Sequence, residues 1–111
     1  MKINFIIFFL LLFNISLAQE SLLNWAKNIE VKEKIEAGEI LSYTEEGVKK
    51  TNIPYDENIV GIVGENATLI FGKEDTTTVP VIFFGMSKVK VSNINGEIKK
   101  GDYITSSQIP G

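Results

Sequence analysis

The residues able to do chemistry in this chain are few. Neither histidine nor cysteine occurs among its 111 residues, which excludes Ser-His-Asp and Cys-His catalysis within the chain and zinc sites of the usual kind. Hydroxyl-lysine and carboxylate chemistry remain. Ser106 and Ser107 follow shortly after Lys99 and Lys100, and a lysine desolvated enough to lose its proton can activate a hydroxyl. Two adjacent lysines on a hairpin edge stay hydrated and charged, so no catalytic residue is assigned and the chain is read as non-enzymatic. Carboxylates stand in pairs at Glu45-Glu46, Asp56-Glu57 and Glu74-Asp75. Neighbours on a strand point to opposite faces, which keeps each pair from sharing a substrate. Calcium wants several closely spaced oxygen ligands, more than Asp56-Glu57 supplies. No metal and no cofactor is expected. Gly61 and Gly64 lie within β-type sequence rather than ahead of a helix, so they make no phosphate cradle. Asn66-Ala67-Thr68 fits the glycosylation acceptor pattern, which matters only on a eukaryotic secretory route. Tyr43, Tyr55 and Tyr103 are scattered along the chain, whereas a sugar site wants clustered aromatic faces.

The start of the chain sets the compartment. Residues 1–18 read as a secretory signal peptide: Lys2 supplies a positive n-region, Phe5 to Phe13 an apolar h-region, and Ser16-Leu17-Ala18 a small-residue cleavage site. A spanning helix needs about 20 apolar residues, and this run is shorter and broken by Asn14 and Ser16. The expectation is a secreted or cell-surface domain over 19–111, with no membrane attachment after cleavage. Without Lys2 the chain keeps ten lysines against fourteen acidic residues, a formal charge of −4, and it has no arginine. That balance argues against nucleic acid and against dedicated phosphate or carboxylate recognition. The absence of cysteine rules out a disulfide framework despite export. A domain this small must then rely on its hydrophobic core, helped where necessary by oligomerisation.

The elements that would position any site are short and β-type. Ser21 to Asn28 reads either as a short helical turn capped by Ser21 or as an extended lead-in, with Trp25 covering one end of the core. A short strand is expected within Ile29 to Ile35. Ile40 to Tyr43 and Val48 to Thr51 form a hairpin around Glu45-Glu46-Gly47. Ile59 to Val63, almost wholly apolar, suits a strand covered on both faces, with Gly61 marking a bulge or a close backbone approach. Thr68 to Phe71 is the next strand, and 73–78 a polar loop. The last third, Val79 to Gly111, looks like the organising half: Val79 to Phe84 is a strand, with Pro80 at its start or on an edge, and Lys88 to Ser92 gives the clearest period-2 signal in the chain. Asn95-Gly96 is a turn, and Gly101-Asp102 opens a closing strand. The lysine clusters Lys32/Lys34, Lys49-Lys50, Lys88/Lys90 and Lys99-Lys100 are expected on solvated strand edges, where they discourage edge-to-edge pairing. Short strands separated by turns, with little helix, predict an all-β barrel or sandwich of short antiparallel strands.

Two segments echo each other. Ile35 to Ser42 and Ile98 to Thr105 share the pattern apolar, two variable, glycine, acidic, two apolar, hydroxyl. The physical sense is a tight turn at the glycine, an acidic side chain accepting backbone N–H bonds, and a strand entering the core. A turn common in β proteins and a pseudo-twofold repeat both account for it.

IEAGEIL at Ile35 to Leu41, Pro54-Tyr55-Asp56 followed by Ile59 to Val63, Val79-Pro80-Val81, Gly85, Val89-Lys90-Val91, Asn95-Gly96, Ile98 to Asp102, and Thr105-Ser106-Ser107 to Pro110-Gly111 form an ordered set. It resembles a β-rich module of bacterial surface and phage tail-fibre-like proteins. Members of that group continue past Pro-Gly with an aromatic or histidine and then Ala-Met-Lys. The resemblance therefore implies a fragment, or a shortened version missing a last strand. It also implies an extracellular structural or adhesion module with protein partners or self-association, and it brings no catalytic residues. Two readings from other classes stand beside it: a self-processing or hydrolytic small barrel using Ser106 or Ser107 with a lysine, and a carbohydrate-binding domain.

Overall fold

The computed structural model describes residues 23–111. The expected signal peptide over 1–18 and the capping role of Ser21 lie outside the described residues. Six strands follow in order: β1 (Asn24–Glu30), β2 (Ile40–Thr44), β3 (Gly47–Lys50), β4 (Ile59–Val63), β5 (Leu69–Phe71) and β6 (Thr78–Gly85). They form one sheet in the order β3-β2-β4-β6-β1-β5, curled into a half-barrel. The all-β class is as the turn spacing predicts. Neighbouring strands run antiparallel except β1 and β5, which pair parallel with Trp25 opposite Leu69 and Lys27 opposite Phe71.

The core is one apolar cluster on the sheet. Leu41, Val63 and Val81 are buried at its centre, with Ile29, Val31, Ile35, Val48, Val60 and Val79 packed around them. Leu41 and Val81 are almost wholly removed from solvent, and each such side chain contributes about 1.5–3 kcal/mol by burial. Two local features let the strands approach. A Cβ on Gly61 would lie 2.2 Å from the Ile82 carbonyl oxygen and 2.9 Å from Val81 Cγ1, so only glycine lets β4 come this close to β6. Across from it, the β2–β4 register slips between Leu41 and Ser42. The β2–β3 hairpin closes at Glu45-Glu46 as the sequence predicts. There the Thr44 hydroxyl donates to the Gly47 carbonyl at 2.7 Å and accepts from the Glu46 N–H at 3.2 Å.

Several expectations need correction. Of the two readings of Ser21 to Asn28 the extended one holds, as residues 24–30 form the seven-residue strand β1, whereas the strand expected within Ile29 to Ile35 amounts only to its last two residues. Trp25, 44% exposed, stacks with Phe71 and Phe84 rather than covering the core. β4 is only partly covered, with Ile59 exposed. Pro80 sits third in β6, a central strand. It lies where β4 has just ended: the Pro80 carbonyl accepts from the N–H of Gly64, one residue beyond β4, at 3.1 Å, so the missing donor costs a bond at the end of the β4 ladder and not within it. Lys88 to Ser92 forms no strand, and neither does the stretch after Gly101-Asp102. The period-2 pattern is present, but the segment makes one backbone bond to its neighbour, from the Lys90 N–H to the Gly38 carbonyl at 2.8 Å. A pattern specifies faces, and a strand also needs a ladder partner.

Candidate functional site

Ser106 and Asp56 are brought together from fifty positions apart in sequence. The Ser106 hydroxyl, buried with 4% exposure, accepts from the Asp56 backbone N–H at 2.7 Å, and its carbonyl accepts from the Tyr55 N–H at 3.4 Å. The Asp56 carboxylate accepts from the Thr51 hydroxyl at 2.7 Å and from the Asn58 N–H at 2.9 Å. Those two donors, the Thr51 hydroxyl first, hold its carboxyl below the ordinary aspartate value. The Thr51 carbonyl in turn accepts from the Gly111 N–H at 3.0 Å. The loop after β3 is thus tied to the end of the described chain through one buried hydroxyl and one carboxylate.

This geometry does not assemble the serine–lysine pair. Ser106 receives its hydrogen bond from a backbone amide, and the Ser107 hydroxyl accepts from the Ile109 N–H at 3.1 Å. Lys99 and Lys100 lie exposed on the surface. The Lys99 N–H donates to the Asp102 carboxylate at 2.8 Å and the Asp102 N–H to the Lys99 carbonyl at 3.0 Å. The same arrangement closes the first copy of the echo: the Glu36 N–H donates to the Glu39 carboxylate at 2.8 Å and the Glu39 N–H to the Glu36 carbonyl at 3.2 Å. Gly38 and Gly101 take φ values of 90° and 92° in these turns, the left-handed region that glycine enters without steric cost. Both turns therefore have the predicted chemistry, although only the first leads into a strand.

Glu39 is the charged centre of the first turn. It is 7% exposed, with Lys50 Nζ at 3.4 Å and Lys90 Nζ at 3.7 Å from its carboxylate. Lys90 also pairs with Glu36, whose carboxyl is lowered first by the hydrogen bond from Lys90 and then by its charge. In each of the three carboxylate pairs one member is engaged by a neighbouring side chain or amide. Glu46 binds Lys49, Asp56 binds Thr51, and Asp75 accepts from the Thr77 N–H at 2.8 Å and the Thr77 hydroxyl at 2.7 Å. Among the described residues no three acidic side chains gather as a metal site.

A cleft of about 420 Å³ runs between the sheet and the segment after β6, bordered by Ile40, Thr51, Lys90, Ile98, Ile104 and Ile109. Polar residues share its lining, among them Asp102, Ser106 and Ser107. The aromatic contacts lie elsewhere. Tyr43, Tyr55 and Tyr103 are exposed, while the ring pairs among the described residues are Trp25–Phe84 at 5.1 Å, Phe71–Phe83 at 6.3 Å and Trp25–Phe71 at 6.4 Å. A bulge makes this cluster. Trp25 stands opposite Phe84 and Ala26 opposite Ile82, leaving Phe83 as the extra residue, so the consecutive phenylalanines both reach the Trp25 face. Sequence reasoning about scattered tyrosines missed it; the signal available was Phe83-Phe84 just ahead of Gly85.

Comparison with protein-family models, with curated proteins and with solved structures finds no match.

Proposed function

We infer that this is a non-enzymatic extracellular structural or adhesion module that works by associating with protein, as the resemblance to bacterial surface and tail-fibre-like modules implies. The observation that carries the reading is the segment from Met86 to Gly111. It has strand-like sequence but no ladder, and it exposes Val91, Ile94, Ile98, Ile104 and Ile109. Such apolar surface outside a core is characteristic of a chain that completes its packing against another. The leader-like residues 1–18 support export.

The test is fractionation of the native host with an antibody to the chain. It is expected at the surface or in the medium, in a high-mass assembly; confinement to the cytoplasm as a free monomer would overturn the reading. A Ser106→Ala/Ser107→Ala double variant addresses the hydrolytic alternative. Loss of proteolytic maturation in that variant, with the fold retained, would replace association by self-processing.

A further inference from the structure

The ten lysines of the described residues differ in how firmly their backbone is held. Lys27 lies in β1 with Phe71 opposite it on one side and Val81 on the other, and Lys49 and Lys50 belong to the β2–β3 ladder. Lys32 and Lys34 are exposed, but their neighbours are pinned. The Val31 N–H donates to the Thr77 carbonyl at 3.0 Å, the Glu33 carboxylate accepts from the Lys50 N–H at 2.8 Å, and Val31 and Ile35 pack on the core. Lys73 follows Gly72, whose carbonyl accepts from Asn28, and Glu74 and Asp75 come directly after it. Lys88 stands two residues before Lys90, whose N–H donates to the Gly38 carbonyl at 2.8 Å and whose ammonium pairs with Glu36.

Lys99 and Lys100 share none of these restraints. Both are exposed, in a turn closed by two local bonds, from the Lys99 N–H to the Asp102 carboxylate and from the Asp102 N–H to the Lys99 carbonyl. A methyl group on Gly101 would meet nothing within 4 Å, so the space beside the Lys100–Gly101 bond is open. Among the described residues the hydrogen bonds of 91–105 are internal, and those that fasten this stretch to the sheet side come from Lys90 before it and Ser106 after it. Opening the turn therefore breaks two bonds and disturbs no ladder. The buried core residues Leu41, Val63 and Val81 and the last paired residue, Gly85, all precede it. Nicking is favoured where a bond can leave the fold at such small cost.

We propose that the Lys99-Lys100 turn is a processing site for a serine protease with an acidic specificity pocket, and that the cut unlatches the stretch after it from the cleft. The pocket carboxylate takes the Lys100 ammonium, and Gly101 adds no bulk on the leaving side. Water adds across the Lys100–Gly101 bond: the carbonyl carbon gains the hydroxyl, the C–N bond breaks, and the nitrogen takes the proton. A carboxylate and an amine result. In the intact chain the covalent link keeps Ser106 at its site with an effective concentration on the order of millimolar. Once cut, the stretch from Gly101 is held by three bonds: Asp56 N–H to Ser106 Oγ, Tyr55 N–H to the Ser106 carbonyl, and Gly111 N–H to the Thr51 carbonyl. Ile104 and Ile109 remain 51% and 43% exposed, so little apolar burial offsets the entropy of holding a separate piece. Its departure removes Ile104, Ser106 and Ile109 from the cleft lining. The inference goes beyond the associating role and would switch it, since Ile104 and Ile109 leave with the released piece.

The experiment is brief digestion of the full chain, at about 10 µM, with trypsin, which reads lysine alone in a chain without arginine. Intact mass spectrometry locates the cuts, and gel filtration follows the pieces. Among the ten lysines of the described residues, cleavage in the Lys99-Lys100 turn is expected first, at least tenfold faster than elsewhere, and the piece from Gly101 is expected to elute apart from the sheet. A Lys99→Gln/Lys100→Gln double variant should lose this cut and keep the circular dichroism spectrum of the parent. Faster cleavage at another of the ten lysines, in a chain that circular dichroism shows to be folded, overturns the site. Pieces that elute together overturn the unlatching. Neither result alters the host fractionation on which the broader reading depends.

Discussion

Ser106 shows how a hydroxyl that looks chemically available can be wholly occupied by structure. Its oxygen accepts from an amide fifty positions away in sequence, so replacing it strands a half-buried donor instead of disarming a nucleophile. Ser106→Ala is therefore expected to destabilise the domain by about 1–3 kcal/mol, measured by urea unfolding. Asp56 adds a pH dependence. Its folded pKa lies below the ordinary value of 3.8, so its contribution is complete above that value and is lost as pH falls through the folded pKa. Asp56→Asn should accordingly lower the melting temperature at neutral pH, and the gap from the parent chain should close in acid. The acidic turn residues were legible because both partners lie within three positions of each other, as in Glu36–Glu39 and Lys99–Asp102. The Ser106–Asp56 bond was not, since nothing local to either residue specifies the other.

At the scale of elements, two residues govern how strands meet. Gly61→Ala would drive a methyl group into the Ile82 carbonyl and is expected to cost about 3 kcal/mol or prevent folding, read by denaturant unfolding. Asn24 is buried and clasps both sides of β1, donating to the Met86 carbonyl at 3.1 Å and accepting from the Thr68 N–H. Asn24→Ala should loosen β5 selectively, raising amide exchange at Ile70 more than at Val63 or Val81. The hairpin over Ile40 to Lys50 was readable from its turn residues, and the Gly61 approach from a glycine inside an apolar run. Lys88 to Ser92 was misread because alternation alone names no neighbour. β1 was blurred because Asn24, Lys27 and Asn28 interrupt its apolar pattern, although Asn24 and Asn28 are the side chains that hold β5.

For the molecule as a whole, the proposed association would add stability that depends on the concentration of the partner. The all-β class was legible at this scale because turns recur at short intervals, whereas the parallel placement of β5 beside β1 was not, since nothing in the Leu69 to Phe71 run fixes strand direction. The carboxylate of Glu33 on the Lys50 amide has a further effect on assembly. A sheet with two receptive sides can add subunits indefinitely and become a fibril, whereas one with a single receptive side has a valence of one. The cap withdraws the β3 side from such growth, so strand addition would be confined to the β5 side.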